Sequence, residues 1–439
     1  MCGLIASNDK RVSSRAIELA LYKMQYRGTV EPCFETNGHH HVGHVSLPMC
    51  SLDPYEYHQP LDFVAFTGEI FNYHELDPTS TGDVRMIRNL IVDNPLDKIL
   101  ELFHKFDGFW NVAFIREKKL IAITDYLSQK PLYYRTDLNV VASEIDCLVG
   151  LAPSEYDPIF FSNIQKWGYD PTGNTPYKNI KQMPAGSVYI DGVISSYWDW
   201  SKISAPYVIS TGISQATSKR MHVARPQSLL LSGGLDSSII YAVTQELGYG
   251  DQIKVFHVDN DESDYADMMT TNRTNITLDE VTDSEAVTVH QSPVDLGSVK
   301  PQLALAKSIA KEGYHMVLTG DGADELFGGY RRAKEYDSQM SDVFQELPYY
   351  HLPRLDRTMM RHTIEVRSPF LAPYIVKYAM ELPYAERIDK KHLKDAYRHM
   401  LPKEIIDRPK VPLKTKAIRN DLLSNTQSNI KLFKEYRND

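Results

Sequence analysis

Residues 229–240 read LLLSGGLDSSII, so small and hydroxyl-bearing residues directly follow an apolar run. The two glycines permit positive φ and allow backbone N–H groups to approach a ligand closely. A helix that begins here would add unpaired N–H groups and partial positive charge. The alternative is an ordinary strand-to-helix turn capped by its aspartate and serines. We interpret the segment as a phosphate cradle, formed by Ser232, Gly233, Gly234, Leu235, Asp236, Ser237 and Ser238.

A second candidate loop, residues 318–330, reads LTGDGADELFGGY and follows another short apolar run. Clustered carboxylates repel one another unless a cation or a basic partner compensates. Asp236 beside phosphate raises the same difficulty, and a Mg²⁺ shared with Asp324 resolves both. The alternative is a solvated acidic turn. Because both loops follow strands of one predicted parallel sheet, they are expected at the same edge.

Two further features carry potential chemistry. Arg367, Arg408 and Lys410 lie in the segments IEVRSPFL and IIDRPKVPLK and could neutralise phosphate charge, although a lone RPK is usually a surface turn. Cys2 follows Met1 directly, so removal of Met1 would place a thiol and an α-amine on one residue. That amine titrates near pH 8 and can act as the base for its own thiol; chance is the alternative.

Bulk properties exclude several classes of protein. A length of 439 residues favours two domains. The net charge of −9 argues against a broad nucleic-acid face, and no apolar run is long enough for a membrane span. Without a secretion signal, a cytoplasmic location is expected. The four cysteines fit neither a zinc pattern nor a disulfide framework.

The elements that must position these residues differ between the two halves. Residues 1–200 contain short strands rich in Val, Ile, Phe and Tyr, with helices at 14–24 and 83–93, which predicts an α+β domain of layered antiparallel sheets. Residues 201–439 alternate strand and helix, which predicts an α/β doubly wound parallel sheet. The weakly patterned stretch 199–220 marks the boundary. A helix over 301–313 is expected to have Pro301 in its first turn, and the C-terminal residues to form a surface helix or frayed tail.

The motifs resemble one enzyme family. MCGLIA, YRG (26–28), TGEIFNYHEL (67–76), QKPLYY (129–134) and ASEI (142–145) resemble the N-terminal-nucleophile glutaminase domain of class II amidotransferases. SGGLDSS, TGDGADELFGGY, IEVRSPFL and RPK resemble the ATP-pyrophosphatase domain of glutamine-hydrolysing asparagine synthetases. The motifs follow the family order over about residues 2–413. β-Lactam synthetases and peptide macrolactam cyclases share the second domain, so the resemblance specifies the acceptor less well.

The resemblance implies substrates, cofactors and roles. Glutamine, aspartate and ATP would be the substrates, with Mg²⁺ at Asp236 and Asp324, and a homodimer is a further expectation. Cys2 would attack the glutamine amide, Lys410 would stabilise charge on the phosphates, and the acid at Asp321 favours ammonia as nucleophile. The other implied binding residues are Ser46, Thr67, Gly68, Glu69 and Asp83 for glutamine, and Leu231, Val258 and Gly320 alongside the glycine–serine loop for ATP.

The first domain departs from the family pattern. Thr67 replaces the asparagine that donates to the oxyanion, and Ser46 replaces the arginine that grips the glutamine carboxylate. One explanation is a rebuilt pocket, with His39, His40, His41 or His44 supplying contacts; a metal held by this run is disfavoured, because strand side chains alternate faces. Another is a decayed glutaminase that uses free ammonia. Wider rivals are a ligase acting on another carboxylate and a catalytically weak binding protein.

Overall fold

The computed structural model describes residues 2–50, 62–260, 262–330, 344–408 and 426–437. For Cys2 and Tyr384 the description covers the backbone only. Lys410 therefore lies outside the described residues. None of the helices in these ranges combines the length and hydropathy needed to cross a bilayer.

Residues 2–196 form two antiparallel sheets that pack face to face. The first has the strand order β2-β3-β1-β8-β7-β9 and the second β11-β10-β6-β5-β4. Small residues such as Ala6, Ala65 and Ala113 fill the layer between the sheets and let the two backbones approach closely. The strands are β1 (Cys2–Asn8), β2 (Cys33–Asn37), β3 (His40–Ser46), β4 (Val64–Ile70), β5 (Gly108–Arg116), β6 (Lys119–Thr124), β7 (Tyr133–Arg135), β8 (Val140–Ala142), β9 (Ile180–Gln182), β10 (Ser187–Ile190) and β11 (Val193–Ser196).

Helices cover the outer faces of these sheets. The predicted helices at 14–24 and 83–93 are confirmed, and the side chain of Ser13 caps the first by accepting from the amide of Ala16. Asp83 is the first residue of the second, where a carboxylate favours the positive end of the helix dipole. The helices are α1 (Ser14–Lys23), α2 (Tyr73–Leu76), α3 (Asp83–Asp93), α4 (Leu96–Phe103), α5 (Ile145–Val149) and α6 (Pro158–Trp167).

The second part is built on a parallel sheet of order β14-β13-β12-β15-β16. All four strand pairs in it are parallel, which confirms the predicted α/β class after an antiparallel α+β part. The carboxyl ends of the central strands β12 and β15 are neighbours, because Leu229 pairs with Leu318. The strands are β12 (Gln227–Leu230), β13 (Ile253–Val258), β14 (Thr274–Ile276), β15 (Met316–Leu318) and β16 (Glu365–Arg367).

In the second part, the helix that follows the glycine–serine loop ends just before Gly248. The φ of Gly248 is 81°, a left-handed conformation that commonly terminates helices. Short 3₁₀ turns occur at Gln25–Arg27, Trp200–Lys202, Pro369–Leu371 and Ile388–Lys390, and a π-helical turn at Leu347–His351. The helices are α7 (Ile209–Met221), α8 (Leu235–Glu246), α9 (Ser263–Met269), α10 (Asp283–His290), α11 (Leu296–Lys311), α12 (Ala323–Leu326), α13 (Leu352–Met360), α14 (Pro373–Glu381), α15 (Tyr384–Arg387), α16 (Lys391–Tyr397), α17 (Lys403–Ile406) and α18 (Thr426–Arg437).

The structure adds a helix to the predicted boundary stretch, corrects the expectation for Pro301 and confirms the surface helix at the C-terminus. The stretch 199–220 contains most of α7, whose buried side chains are mixed with polar ones and so hide the helical period. Helix α11 begins at Leu296, which places Pro301 in its interior. Helix α18 is neither frayed nor free: Phe433 is fully buried, and the Arg437 guanidinium lies within hydrogen-bond distance of the Asp146 carboxylate.

A buried charge cluster joins the two parts. Arg27 pairs with Glu144 at 2.6 Å and with Asp356 at 2.8 Å, and Lys130 pairs with the same Asp356 at 2.7 Å. All of these side chains are almost completely buried. Such a network is costly to break, because loss of one member leaves an uncompensated charge in the interior. It therefore fixes helix α13 against the first part.

Candidate functional site

The glycine–serine loop occupies the carboxyl end of β12. Gly233 has a φ of 77°, and a Cβ there would lie 3.0 Å from the amide nitrogen of Ala266, so glycine suits this position on two counts. The Ser232 amide donates to Ser237 Oγ at 3.1 Å, and Ser237 Oγ donates to the Gly234 carbonyl at 3.2 Å. The serines thus hold the loop in shape. Helix α8 begins at Leu235, within the loop, with Gly234 as its N-cap, so its first N–H groups are available for an anion bound there.

Asp236 and Asp324 converge, although they come from separate strand ends. Both carboxylates contact the ammonium of Lys390: Asp236 Oδ2 and Asp324 Oδ1 each lie 2.5 Å from Lys390 Nζ. Gly320 permits this approach, because a Cβ at that position would lie 2.7 Å from the Cβ of Asp236. The acidic loop and the glycine–serine loop therefore form one site.

Lys390 is a site residue that the sequence did not reveal. Asp389 and Lys390 both have a φ of 58°, in the left-handed region that non-glycine residues rarely adopt. The Lys390 amide donates to the Phe327 carbonyl at 2.9 Å. A Cβ at Gly329 would lie 2.0 Å from Asp324 Oδ1 and 2.4 Å from Lys390 Cε. The absence of a side chain at Gly329 thus allows Lys390 to lie between Asp236 and Asp324.

The other residues of the acidic loop face elsewhere. Glu325 accepts from the Tyr330 hydroxyl at 2.6 Å and lies 3.4 Å from His351 Nδ1. The carbonyl of Asp321 accepts from the Ser368 hydroxyl at 2.5 Å, which ties the loop to the residue after β16. The Asp321 side chain is half-buried at the same sheet edge. The loop thus offers a second polar wall beside the two convergent carboxylates.

Two of the three basic residues expected to neutralise phosphate charge, Arg367 and Arg408, lie among the described residues. Arg367 is fully buried, with its Nε 2.5 Å from Glu365 Oε1 and its Nη2 3.4 Å from Glu69 Oε2 in the first part. Arg408 is half-buried; it forms an ion pair with Glu262 and donates to the Gly233 carbonyl at 3.0 Å. The expectation for Arg367 was wrong, because buried acidic partners already compensate its guanidinium group. Arg408 contacts the glycine–serine loop, so its role beside phosphate stays a prediction.

The remaining residues predicted to bind ATP surround the same edge. Leu231 and Ser238 are fully buried, so Leu231 can offer only backbone groups to a ligand. The Ser238 hydroxyl has no hydrogen-bond partner among the described residues. Val258 closes β13, the strand beside β12, and is largely buried. The structure thus brings the predicted set together at the carboxyl ends of adjacent strands.

The residues predicted to bind glutamine lie on strands β1 and β3 of the first sheet, on strand β4 of the second, and at the start of α3. Cys2 is the Cα partner of Ser46 in the β1–β3 ladder. Thr67 is almost fully buried, and Gly68 has a φ of 135°. A Cβ at Gly68 would lie 2.0 Å from the Phe109 carbonyl oxygen, so only glycine fits there. Glycine therefore allows β4 and β5 to approach each other closely at this point.

Two buried carboxylates and a half-buried thiol form a cation-attracting cluster at this strand. One ligand atom each of Cys50, Glu69 and Asp83 lies within 4.8 Å of the others. Asp83 accepts from the amides of Ile70 and Val84 at 3.0 and 2.9 Å. Burial raises the pKa of Asp83 to about 6 and that of Glu69 well above its ordinary value. A cation that enters the cluster would relieve this cost.

Most of the histidines cannot complete this pocket. The rings of His39 and His40 contact each other at an interplanar angle of 42° at the far end of β3. They are six or more residues from Ser46, which corresponds to roughly 20 Å of strand. His41 bonds instead to Thr36 and the Val12 carbonyl. His44, a buried residue two positions from Ser46, is the closest of the four in the chain.

Comparisons with known proteins agree with this division. A family model described as asparagine synthase matches residues 209–346 and 336–430, and one described as glutamine amidotransferase domain matches residues 1–198. "Asparagine synthetase [glutamine-hydrolyzing] 1" from Arabidopsis thaliana is 26% identical and covers 93% of this chain and 77% of its own length. "Asparagine synthetase [glutamine-hydrolyzing]" from Triphysaria versicolor is also 26% identical, with the same coverages of 93% and 77%.

A solved structure of the glutamine phosphoribosylpyrophosphate amidotransferase from B. subtilis, complexed with ADP and GMP, is 12% identical, with a TM-score of 0.35. It covers 73% of this chain and 81% of its own, a similarity too weak to bear on function. The two family models, in contrast, match nearly the whole chain and decide its family. The fold and the family matches define a glutamine amidotransferase domain joined to an asparagine synthase domain. The chain belongs to the asparagine synthase family.

Proposed function

We propose that this protein is a glutamine-dependent asparagine synthetase. The observation that carries the proposal is the convergence of Asp236 and Asp324 on one ammonium beside the glycine–serine loop. Two strand-end carboxylates next to an anion cradle suit a nucleotide whose phosphates are bridged by a divalent cation. The family matches and the glutaminase-like first part support the choice of glutamine and aspartate as partner substrates.

In the first part, Cys2 acts as the nucleophile. Its thiol attacks the side-chain amide carbon of glutamine and its own α-amine, freed by removal of Met1, takes the proton. The backbone at Gly68 and the hydroxyl of Thr67 donate to the developing oxyanion. Glu69 and Asp83 hold the α-ammonium of glutamine. Ammonia leaves, and water releases glutamate from the thioester.

In the second part, the glycine–serine loop and the helix behind it bind the phosphates of ATP. The side-chain carboxylate of aspartate attacks the α-phosphorus, so pyrophosphate leaves and an acyl-adenylate forms. Ammonia then attacks the activated carbonyl carbon and AMP leaves, which yields asparagine. Adenylation is needed because a carboxylate is a poor electrophile without a good leaving group. Asp321 lies at the edge where it could accept a proton from the incoming ammonia.

Asp236 and Asp324 fit a magnesium site, because their carboxylates already surround a positive charge at 2.5 Å. Mg²⁺ at these ligands would offset charge on the phosphates and on departing pyrophosphate. Lys390 then provides a second positive charge at the same place, and Lys410 a third. Val258 and Leu231 supply backbone and apolar contacts for the adenine.

Location and assembly remain proposals. We propose a cytoplasmic enzyme that forms homodimers and uses glutamine, aspartate and ATP without nucleic acid or membrane partners. The net charge of −9 supports the part of this proposal that excludes a nucleic-acid partner.

A second candidate is a related ligase that uses free ammonia or another carboxylate. It is favoured by Ser46 and Thr67, which stand where the family has an arginine and an asparagine. Loss of one oxyanion donor typically lowers the rate on the order of 10²–10³-fold. The synthetase site would be unaffected, because it is built from other strands.

The test incubates the protein with ATP, Mg²⁺ and aspartate, with glutamine or ammonium as nitrogen source, and measures AMP, pyrophosphate and asparagine. Asparagine from both nitrogen sources supports the main proposal. Asparagine from ammonium alone identifies an inactive glutaminase, and AMP formation only with a different acid identifies another ligase. No AMP with any acid would favour a binding protein.

A further inference from the structure

Arg367 connects the synthetase sheet with the proposed glutamine site. It is the last residue of β16 in the second part, and its Nη2 lies 3.4 Å from Glu69 Oε2 on β4 of the first part. Both side chains are almost completely buried. Among the described residues, no other side-chain cation pairs with the Glu69 carboxylate. The second part therefore supplies the positive charge that faces this acid.

The three nitrogen atoms of the Arg367 guanidinium have different partners. Nε lies 2.5 Å from Glu365 Oε1, and Nη1 donates to the carbonyls of Arg220 and His222 at 2.8 and 3.2 Å. Nη2 makes no hydrogen bond within the described ranges, and its contact with Glu69 is an ion pair. Two nitrogens thus hold the guanidinium in place, and the third is left to face the glutamine site.

The Glu69 carboxylate needs such a cation. One ligand atom each of Glu69, Cys50 and Asp83 lies within 4.8 Å of the others, so two acids are crowded together. Burial first, and then Glu365 and Asp83, raise the pKa of Glu69 well above its ordinary value. Arg367 acts in the opposite direction, as does the positive amino terminus of the chain. Since a protonated Glu69 cannot attract an ammonium, the guanidinium favours the form that binds substrate.

The synthetase sheet fixes the position of Arg367. Its carbonyl accepts from the amide of Thr319, the residue that follows β15, at 3.1 Å. The next residue, Ser368, donates from its hydroxyl to the carbonyl of Asp321 at 2.5 Å. One strand end therefore contacts both the acidic loop of the synthetase site and the acid that is proposed to bind glutamine.

We propose that Arg367 is a positioning residue for the nitrogen donor, whose guanidinium holds Glu69 in the ionised form that binds the α-ammonium of glutamine. The inference rests on the proposed glutaminase function. Because the guanidinium comes from the second part, the glutamine site has its full complement of charge only when the two parts are docked. Loss of the guanidinium should weaken glutamine binding although no group that contacts glutamine is removed.

The experiment measures the Kd of glutamine by calorimetric titration between about pH 6 and 9. The parent protein and all variants carry Cys2→Ala, so that glutamine binds without being hydrolysed. An opposite charge nearby typically lowers a carboxyl pKa by about one to three units, so Arg367→Gln should shift glutamine binding to higher pH by that amount. The loss relative to the parent should be roughly tenfold or more at low pH and should narrow as rising pH ionises Glu69. The ratio to the parent at each pH cancels the titration of glutamine itself.

Two further variants separate this role from a merely structural one. Arg220→Gln is the matched control, because Arg220 is another buried arginine that pairs with a carboxylate of the first part, that of Asp107, at 3.1 Å. Its loss should destabilise the fold but leave the pH dependence of glutamine binding as in the parent. Arg367→Lys keeps a positive charge, and its binding profile should lie between those of the parent and Arg367→Gln.

Glu365→Gln provides a test that leaves the arginine in place. Glu365 raises the pKa of Glu69, so removal of its charge should extend glutamine binding to lower pH, opposite to the effect of Arg367→Gln. A loss in Arg367→Gln that is equal at every pH, or a Glu365→Gln profile that moves to higher pH, would overturn the proposal. If circular dichroism shows that Arg367→Gln is unfolded, the direction of the Glu365→Gln shift decides.

Failure of the proposed function gives a different result. A parent that binds no glutamine at any pH overturns the glutamine site and the role of Arg367 with it, while asparagine formation from ammonium would leave the synthetase proposal intact. A parent that binds glutamine with the same pH dependence as Arg367→Gln overturns the role of Arg367 alone.

Discussion

Asp236 and Asp324 are separated by 88 positions in the chain, yet their carboxylates meet on the ammonium of Lys390. Each acid follows a different strand, and the neighbouring registers of β12 and β15 bring the two strand ends together. The arrangement concentrates two negative charges where a nucleotide would be bound. A positive charge, supplied here by the Lys390 ammonium, is therefore a structural requirement of this site.

Replacement of Lys390 should destabilise the protein. Lys390→Met leaves two largely buried carboxylates without their shared partner, and loss of one member of a buried pair typically costs about 3–5 kcal/mol. We expect a lower melting temperature, which millimolar Mg²⁺ partly restores, whereas the wild type should respond less. Thermal unfolding with and without Mg²⁺ measures both effects. The exposed neighbour Lys391 provides the control substitution, Lys391→Met; equal melting temperatures for the two variants would refute the stabilising role.

Substitution of Cys2 should separate the two activities. Cys2→Ala removes the proposed nucleophile and should abolish asparagine formation from glutamine, while formation from ammonium persists. The physical reason is that the synthetase site is built from β12, β13 and β15, none of which contains Cys2. Parallel assays with the two nitrogen sources measure the split. Equal loss of both activities would show that the division of labour is wrong.

Glutamine binding should weaken in mild acid. Burial raises the pKa of Asp83 to about 6, so this carboxylate is ionised at pH 7.5 and becomes protonated as the pH falls through 6. A protonated Asp83 no longer attracts an ammonium. We expect KM for glutamine to rise below about pH 6, and Asp83→Asn to raise KM at neutral pH and flatten this dependence. The same pH profile in the wild type and in Asp83→Asn would assign the titration to another group.

The sequence was sufficient to predict that the glycine–serine loop and the acidic loop lie together. Each loop follows a strand of one parallel sheet, and the carboxyl ends of parallel strands lie at the same edge of the sheet. The same reasoning failed for Lys390, which is 154 positions from Asp236 and whose Lys-Lys context is typical of a solvated surface. Only the left-handed turn at Asp389 and Lys390 directs the side chain inward. The sequence does not indicate this turn, because neither of its two left-handed positions is a glycine.

Arg367 and Arg408 show a second limit of prediction from the sequence, which concerns the partners of charged residues. Their charge was correctly taken as significant, but a charge pattern does not identify its partner. Packing decides that Arg367 faces Glu365 and Glu69 and that Arg408 faces Glu262. Helix α7 was missed for a related reason, since its buried face includes Gly212, Thr217 and Arg220, which carry no hydrophobic signal.

The central claim, that the strand-end site activates aspartate by adenylation, can be followed through a single atom. Aspartate labelled with ¹⁸O in its side-chain carboxylate is incubated with the protein, ATP, Mg²⁺ and ammonium, and the products are analysed by mass spectrometry. One labelled oxygen should appear in AMP, because the attacking carboxylate oxygen stays on phosphorus when ammonia displaces it. Label in inorganic phosphate, or unlabelled AMP accompanying asparagine, would contradict this route.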